Sequence, residues 1–160
     1  MAVGTRGAVE ALPKVVRVRA ETHPRWPWGK IDAVNGYGNQ HRRQAGDALR
    51  EAFPDLGRFW ATWYARRSEY VLRRPDGTVF RVTSCSGWDQ GDPFPPAGYS
   101  VGLAPALEAA RARIRAALPE AQARDVVILA YLDDVVFTAP PEAFYEVHDI
   151  LRAELPQVGH

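Results

Sequence analysis

The sequence predicts an α+β fold, and three observations predict it. Two segments, around residues 69–83 and 126–137, carry strand-pair patterns closed by turn residues. Segments with apolar residues at helical spacing run between and after them. Proline and glycine clusters mark the breaks. At 160 residues the chain is one domain's worth, large enough to bury a core.

Residues 1–27 form a poorly patterned N-terminal segment, and the patterned domain runs from 28 to 160. Within the first segment Val15-Val16-Arg17-Val18-Arg19 reads as a short strand. Pro24 and Pro27, with Trp26 and Trp28, make a stiff loop. Gly29–Val34 is a strand candidate ending at the Asn35-Gly36 turn signal. From about Asn39 to Phe53 the period is helical: Ala45, Leu49, Ala52 and Phe53 share one face, with Arg42, Arg43 and Glu51 on the other. Pro54-Asp55 ends that helix. Leu56, Phe59, Trp60, Trp63 and Tyr64 give a second, short helix whose aromatic stripe reads as core.

Glu69–Arg74 and Thr78–Thr83 alternate as two strands around the turn Pro75-Asp76-Gly77. Arg73, Arg74 and Arg81 would line this hairpin as a basic ribbon, either solvated or in contact with a phosphate backbone. Gly87–Pro96 is a glycine- and proline-rich loop. A helix follows from about Tyr99 to Leu118, bent at Pro105 and stopped by Pro119. After the second hairpin, Pro140-Pro141 opens a last helix with Phe144, Val147, Ile150, Leu151 and Leu155 on its apolar face.

Composition excludes several classes. No run of 18 apolar residues is present, so no membrane span is expected, and no signal peptide is expected at the N-terminus. An intracellular location is expected. One cysteine, Cys85, excludes an intrachain disulfide framework and any cysteine zinc cluster, and it reads as a passive strand residue. The four histidines lie far apart without ligand spacing. Residues 1–81 hold 15 Lys/Arg and 8 Asp/Glu, a net +7; residues 82–160 hold 5 and 11, a net −6. A basic half beside an acidic half suits a polyanion held over a carboxylate site, although 18 arginines against 2 lysines also fits a biased genome.

Tyr131-Leu132-Asp133-Asp134 concentrates the chemistry. It follows Val126-Val127-Ile128-Leu129-Ala130 and precedes Val135-Val136-Phe137. Two adjacent aspartates between buried strands are costly unless a cation offsets them, and a divalent ion is the simplest offset. An exposed turn is the plain alternative.

Three separated segments then fall into a familiar order. Asp32-Ala33-Val34-Asn35-Gly36-Tyr37-Gly38-Asn39 resembles the first palm motif of reverse transcriptases, especially those of non-LTR retrotransposons and group II introns. Gly87-Trp88-Asp89-Gln90-Gly91-Asp92-Pro93 resembles the second, and Tyr131-Leu132-Asp133-Asp134 the Tyr-x-Asp-Asp box. The hairpin at 69–83 also lies where the family has one. The resemblance runs from about Asp32 to Gly159 and implies a polymerase palm: a small antiparallel sheet with helices packed on one face, plus a β-hairpin from the fingers side.

It implies RNA-directed DNA polymerase activity on an RNA/DNA template-primer with a dNTP, using Mg²⁺ or Mn²⁺. Two ions about 3.5–4 Å apart would stabilise the attacking and leaving oxygens. Asp32 and Asp133 would bridge them, with Asp134 a supporting carboxylate. Tyr37 would stack under the incoming sugar and exclude a 2′-hydroxyl. Gln90 and Gly91 would approach the new base pair, and Tyr131 the primer end. The sequence also departs from the family. Only 31 residues precede Asp32, no lysine follows Lys30, and the chain ends before any thumb, so a palm fragment is expected. Two other readings stand beside this one: a catalytically inactive fragment that at most binds nucleic acid, and an unrelated metal-dependent phosphotransferase. Gln90-Gly91-Asp92-Pro93 counts against the phosphotransferase.

Overall fold

The computed structural model describes residues 10–89, 91 and 94–158. In chain order the elements are α1 (Ala11–Thr22), β1 (Trp28–Asp32), α2 (Gly36–Asn39), α3 (Arg42–Ala52), α4 (Pro54–Trp63), β2 (Ser68–Arg73), β3 (Val79–Ser84), α5 (Pro95–Ala117), α6 (Glu120–Asp125), β4 (Val127–Tyr131), β5 (Asp134–Thr138) and α7 (Phe144–Glu154), closed by a 3₁₀ turn at Leu155–Val158. The architecture is α+β, with two small antiparallel sheets among the described residues. The chain forms two compact units. Among the described residues, one comprises residues 10–33 together with Ala106–Pro156, and the other Val34–Pro105 with residues 157 and 158.

The first unit is organised by a three-stranded sheet of order β1-β5-β4. Its register pairs Ile31 with Val135, Gly29 with Phe137, Ile128 with Phe137 and Ala130 with Val135. Strand side chains alternate between faces, so these residues share one face. That face meets α7, where Phe137 stacks on Phe144 at 5.0 Å between ring centroids. Val147, Ile150, Leu151 and Leu155 supply the buried stripe there, and Ala106, Ala110, Ile114 and Leu118 repeat at helical spacing along α5. A Cβ on Gly29 would meet the Phe137 ring, which is why a strand interior tolerates a glycine at this position.

Val15–Arg19 lies inside α1 and is not a strand. Pro13 sits in the first helical turn, where a missing N–H removes no helical bond. Leu12, Val15 and Val16 are half-buried at helical spacing. A short apolar run does not distinguish strand from helix by its period alone.

The second unit builds its core from Ala45, Leu49, Trp60, Tyr64, Trp88, Tyr99 and Leu103. Gly46 lets α3 approach α4 closely, since a Cβ there would strike the Trp60 ring. Four expectations change here. Arg42 is not on the solvent face: it is 6% exposed, and its guanidinium donates to the carbonyls of Gly87, Ser84 and Arg66 and to Ser84 Oγ. The aromatic stripe of α4 is core only at Trp60 and Tyr64, whereas Phe59 and Trp63 are 46% and 65% exposed. The long helix α5 begins at Pro95, four residues before Tyr99, and runs through Pro105. Cys85 lies one residue beyond β3 and is exposed.

The β2–β3 hairpin pairs Tyr70 with Val82 and Leu72 with Phe80, and both of its faces are largely exposed. Its turn is set by Gly77 at φ 86° and by the Thr78 amide donating to Asp76 Oδ1 at 2.9 Å.

Arg42→Met should destabilise the chain by about 2–4 kcal/mol, because the buried Gly87 carbonyl and the part-buried bonds to Ser84 and Arg66 would lose their donor. Urea unfolding should show this as a lower midpoint at unchanged slope, with the exposed Arg43→Met near neutral.

Candidate functional site

The carboxylates gather at one end of the three-stranded sheet because of strand register. Asp32 ends β1 and is the Cα partner of Asp134, which opens β5; Tyr131, which ends β4, is the partner of Asp134 on the other side. Asp133 sits one position earlier, in the turn. Lys30, Asp32, Asp134 and Val136 alternate onto the same face. Like charges directly opposed across a strand pair repel. Lys30, two residues before Asp32, lies between them: its Nζ is 2.7 Å from Asp134 Oδ1 and 3.8 Å from Asp32 Oδ2. The hydrogen bond to Asp134 and the nearby carboxylates hold the ammonium pKa above its usual value. All three side chains are about half-exposed.

Of the two turn residues, Leu132 has φ 55°, a left-handed conformation that side chains other than Asn, Asp and Gly rarely adopt. The turn thus holds a strained apolar residue beside Asp133. On the same sheet face, Leu129, Tyr131, Asp134 and Val136 line a cavity of about 420 Å³ with Leu12, Pro13, Val16 and Arg17 of α1.

The other motif residues belong to the second unit. Tyr37 is half-buried and stacks on Tyr99 at 4.8 Å with 14° between ring planes. Asn39, the second asparagine of the first motif, donates from Nδ2 to the Val34 carbonyl at 2.7 Å and so ties the α2 turn to the chain before it. Gly91 is exposed at φ 97°, with nothing within 4 Å of a would-be Cβ; its backbone conformation explains the glycine. Gln90 lies outside the described residues, as do Asp92 and Pro93.

Sequence reasoning missed the residues that fix this loop. The Gly87 amide donates to the Gln40 carbonyl at 2.9 Å and the Trp88 amide to the Tyr37 carbonyl at 2.7 Å. Trp88 Nε1 donates to Gln40 Oε1, and Gln40 Nε2 donates to the Tyr99 carbonyl at 2.9 Å. Gly87 has φ 65°, and a Cβ there would collide with the backbone of Tyr37 and Gly38, so both conformation and space demand glycine. The first glycine of the second motif was the available signal. Arg42 and Asp89 complete the network, Tyr70 donating its hydroxyl to Asp89.

The donor set of the first unit is chemically suited to a hard divalent ion: carboxylate oxygens that already draw a cation between two of them. Among the described residues, no group of three or more His, Cys, Asp or Glu is assembled as a metal cage. The fit therefore rests on the Asp32–Asp134 pair, with Asp133 beside it in the turn.

No family model matches the sequence, and no curated protein sequence matches it. Solved structures do match. Apo telomerase from Candida tropicalis, truncated from its C-terminal domain, superposes with a TM-score of 0.69 at 12% identity, covering 99% of this chain and 34% of that one. Candida albicans telomerase, in complex with a TWJ fragment of telomeric RNA, matches with a TM-score of 0.69 at 12% identity over 98% of this chain and 30% of that one. The chain thus has a telomerase- and reverse-transcriptase-like fold and spans about a third of the length of these neighbours. The likeness does not single out the non-LTR or group II type. Among the described residues no helix is long and apolar enough to cross a membrane.

Two measurements follow from this geometry. Leu132→Val should destabilise the chain by about 1 kcal/mol or more, and more than Leu132→Asn does, because a β-branched residue is poorly accommodated at positive φ. Thermal unfolding of the two variants checks it. Tyr70, hydrogen-bonded to Asp89, should ionise above its ordinary value of 10.0, and Asp89→Ala should return it towards that value in an ultraviolet titration. The sign follows from the raised folded-state pKa: this stabilisation is whole below the unfolded value and is lost as pH rises through the folded one.

Proposed function

We propose that this chain is the palm of an RNA-directed DNA polymerase, transferring a nucleotide from a dNTP to a primer 3′-hydroxyl. The observation that carries the reading is the β1–β5 register, which sets Asp32 and Asp134 on one sheet face beside the Asp133 turn. The telomerase-like fold supports it, and the order of the three sequence motifs favours a retrotransposon or group II intron type. Asp32, Asp133 and Asp134 would hold Mg²⁺ or Mn²⁺. A bound ion would supply Lewis-acid stabilisation of the phosphate charge and a lowered pKa for the primer hydroxyl.

The chain's own residues do the rest. The strand register fixes the carboxylates without a long flexible tether, so little orientational freedom remains to be lost. Tyr37, its ring held by Tyr99, would bound the sugar of the incoming nucleotide. Gln90 and Gly91 would meet the new base pair, and Tyr131, exposed at the end of β4, the primer terminus. The RNA/DNA template-primer would bind chiefly through its phosphates. A second reading, a fold that binds nucleic acid without turnover, is favoured by one observation: the Lys30 ammonium already sits between Asp32 and Asp134 and offsets part of their charge.

Primer extension on an RNA template with Mg²⁺ or Mn²⁺ tests the proposal. Asp133→Asn should reduce extension by about a hundredfold or more, the scale on which loss of one preorganised charge-stabilising group acts. Tyr37→Ala should relax discrimination against ribonucleotides. A folded wild-type chain that binds primed template without extending it would favour the non-catalytic reading.

A further inference from the structure

We infer that Lys30 is a built-in competitor of the divalent ion, so that metal loading requires its ammonium to leave the Asp32–Asp134 pair. The inference rests on the carboxylate site proposed above and adds a residue that sets how readily that site loads. Three features of the structure carry it. Lys30 lies on the same sheet face as both carboxylates, because alternation along β1 places residues 30 and 32 together and the register places Asp134 opposite Asp32. Its Nζ contacts both, at 2.7 Å and 3.8 Å, so it occupies oxygen atoms that an ion would need. Among the described residues, the carboxylates of Asp32 and Asp134 have no other ion-pair partner.

The competition has a simple electrostatic form. A monovalent ammonium and a divalent ion seek the same oxygens, and the ion gains only the difference between its own attraction and the displaced contact. The ammonium also stays tethered two residues from Asp32 on the same face, where it repels the bound ion. Both effects weaken loading, and the ammonium contact offsets part of the charge of the two facing carboxylates, which lessens their repulsion across the strand pair. Lys30 is half-exposed and reaches the pair from the surface, so it can swing into solvent without unfolding anything.

The test is Mn²⁺ affinity of the intact chain, read by loss of the free-ion electron paramagnetic resonance signal, which needs no turnover. Lys30→Met should tighten Mn²⁺ binding about fivefold or more at low ionic strength, the scale of an exposed charge pair together with removal of a neighbouring positive charge. Lys30→Gln should behave the same way, and Lys30→Arg, which keeps the charge, should stay near wild type. Asp134→Asn should abolish tight binding in both the wild-type and the Lys30→Met background. If Lys30→Met binds like wild type while Asp134→Asn still loses the ion, the competitor role is overturned and the metal site stands. If neither Asp32→Asn nor Asp134→Asn alters Mn²⁺ binding, the carboxylate site itself is wrong and the inference falls with it.

Discussion

The meeting of Asp32 and Asp134 across β1 and β5 is the constraint on which the functional account depends. Everything around it serves to hold two like charges opposite each other. The strands must be in register, so that one residue of slip would send one carboxylate to the opposite face. That register is fixed from behind. Phe137 fills the space over Gly29 and stacks on Phe144, and Val135, Val147 and Leu151 bury the same face. Thr138, buried, donates to the Pro27 carbonyl at 2.8 Å and pins the far end of β1. At the front, Lys30 offsets part of the carboxylate charge. A hydrophobic face thus positions a charged one, and the exposed chemistry inherits its precision from packing it never touches.

The second unit shows a different solution to a similar problem. An irregular loop carries backbone groups that must be paired if they are buried. Gln40 and Arg42 supply that pairing from within the fold, the first through its side chain and main chain, the second through its guanidinium. Arg42 suits the task because a planar fork of donors can serve several carbonyls at once. These two residues hold Gly87 and Trp88 against the segment that carries Tyr37.

Much of this was legible in the sequence, and the failures share a cause. The Asp133-Asp134 hairpin and the 69–83 hairpin were plain because alternation and turn chemistry agree, and local consistency of that kind specifies a structure. The α+β class followed from those hairpins and the helical segments between them. Val15–Arg19 misled because five residues of mixed apolar and basic character fit either period; tertiary burial of Leu12, Val15 and Val16 decides for helix. Arg42 misled because a charged residue is assigned to solvent by default, and nothing local announces that carbonyls 24 to 45 positions away will meet it. Phe59 and Trp63 misled in the opposite direction, for an aromatic residue at helical spacing need not be covered. At the candidate site, the sequence order singled out Asp32, Asp133 and Asp134. Only the register shows that Asp134 is the residue opposite Asp32 and that Lys30 lies between them.

The central claim is that the β1–β5 carboxylate pair is where a divalent ion enters this fold. Its most direct test is residue-resolved paramagnetic broadening: amide spectra of the isotopically labelled chain recorded as Mn²⁺ is added in substoichiometric steps. The account requires broadening to begin at Lys30–Ala33 and Tyr131–Val135 and to spread outward from there. Broadening that begins elsewhere, or that spares Asp32 and Asp134, would contradict it.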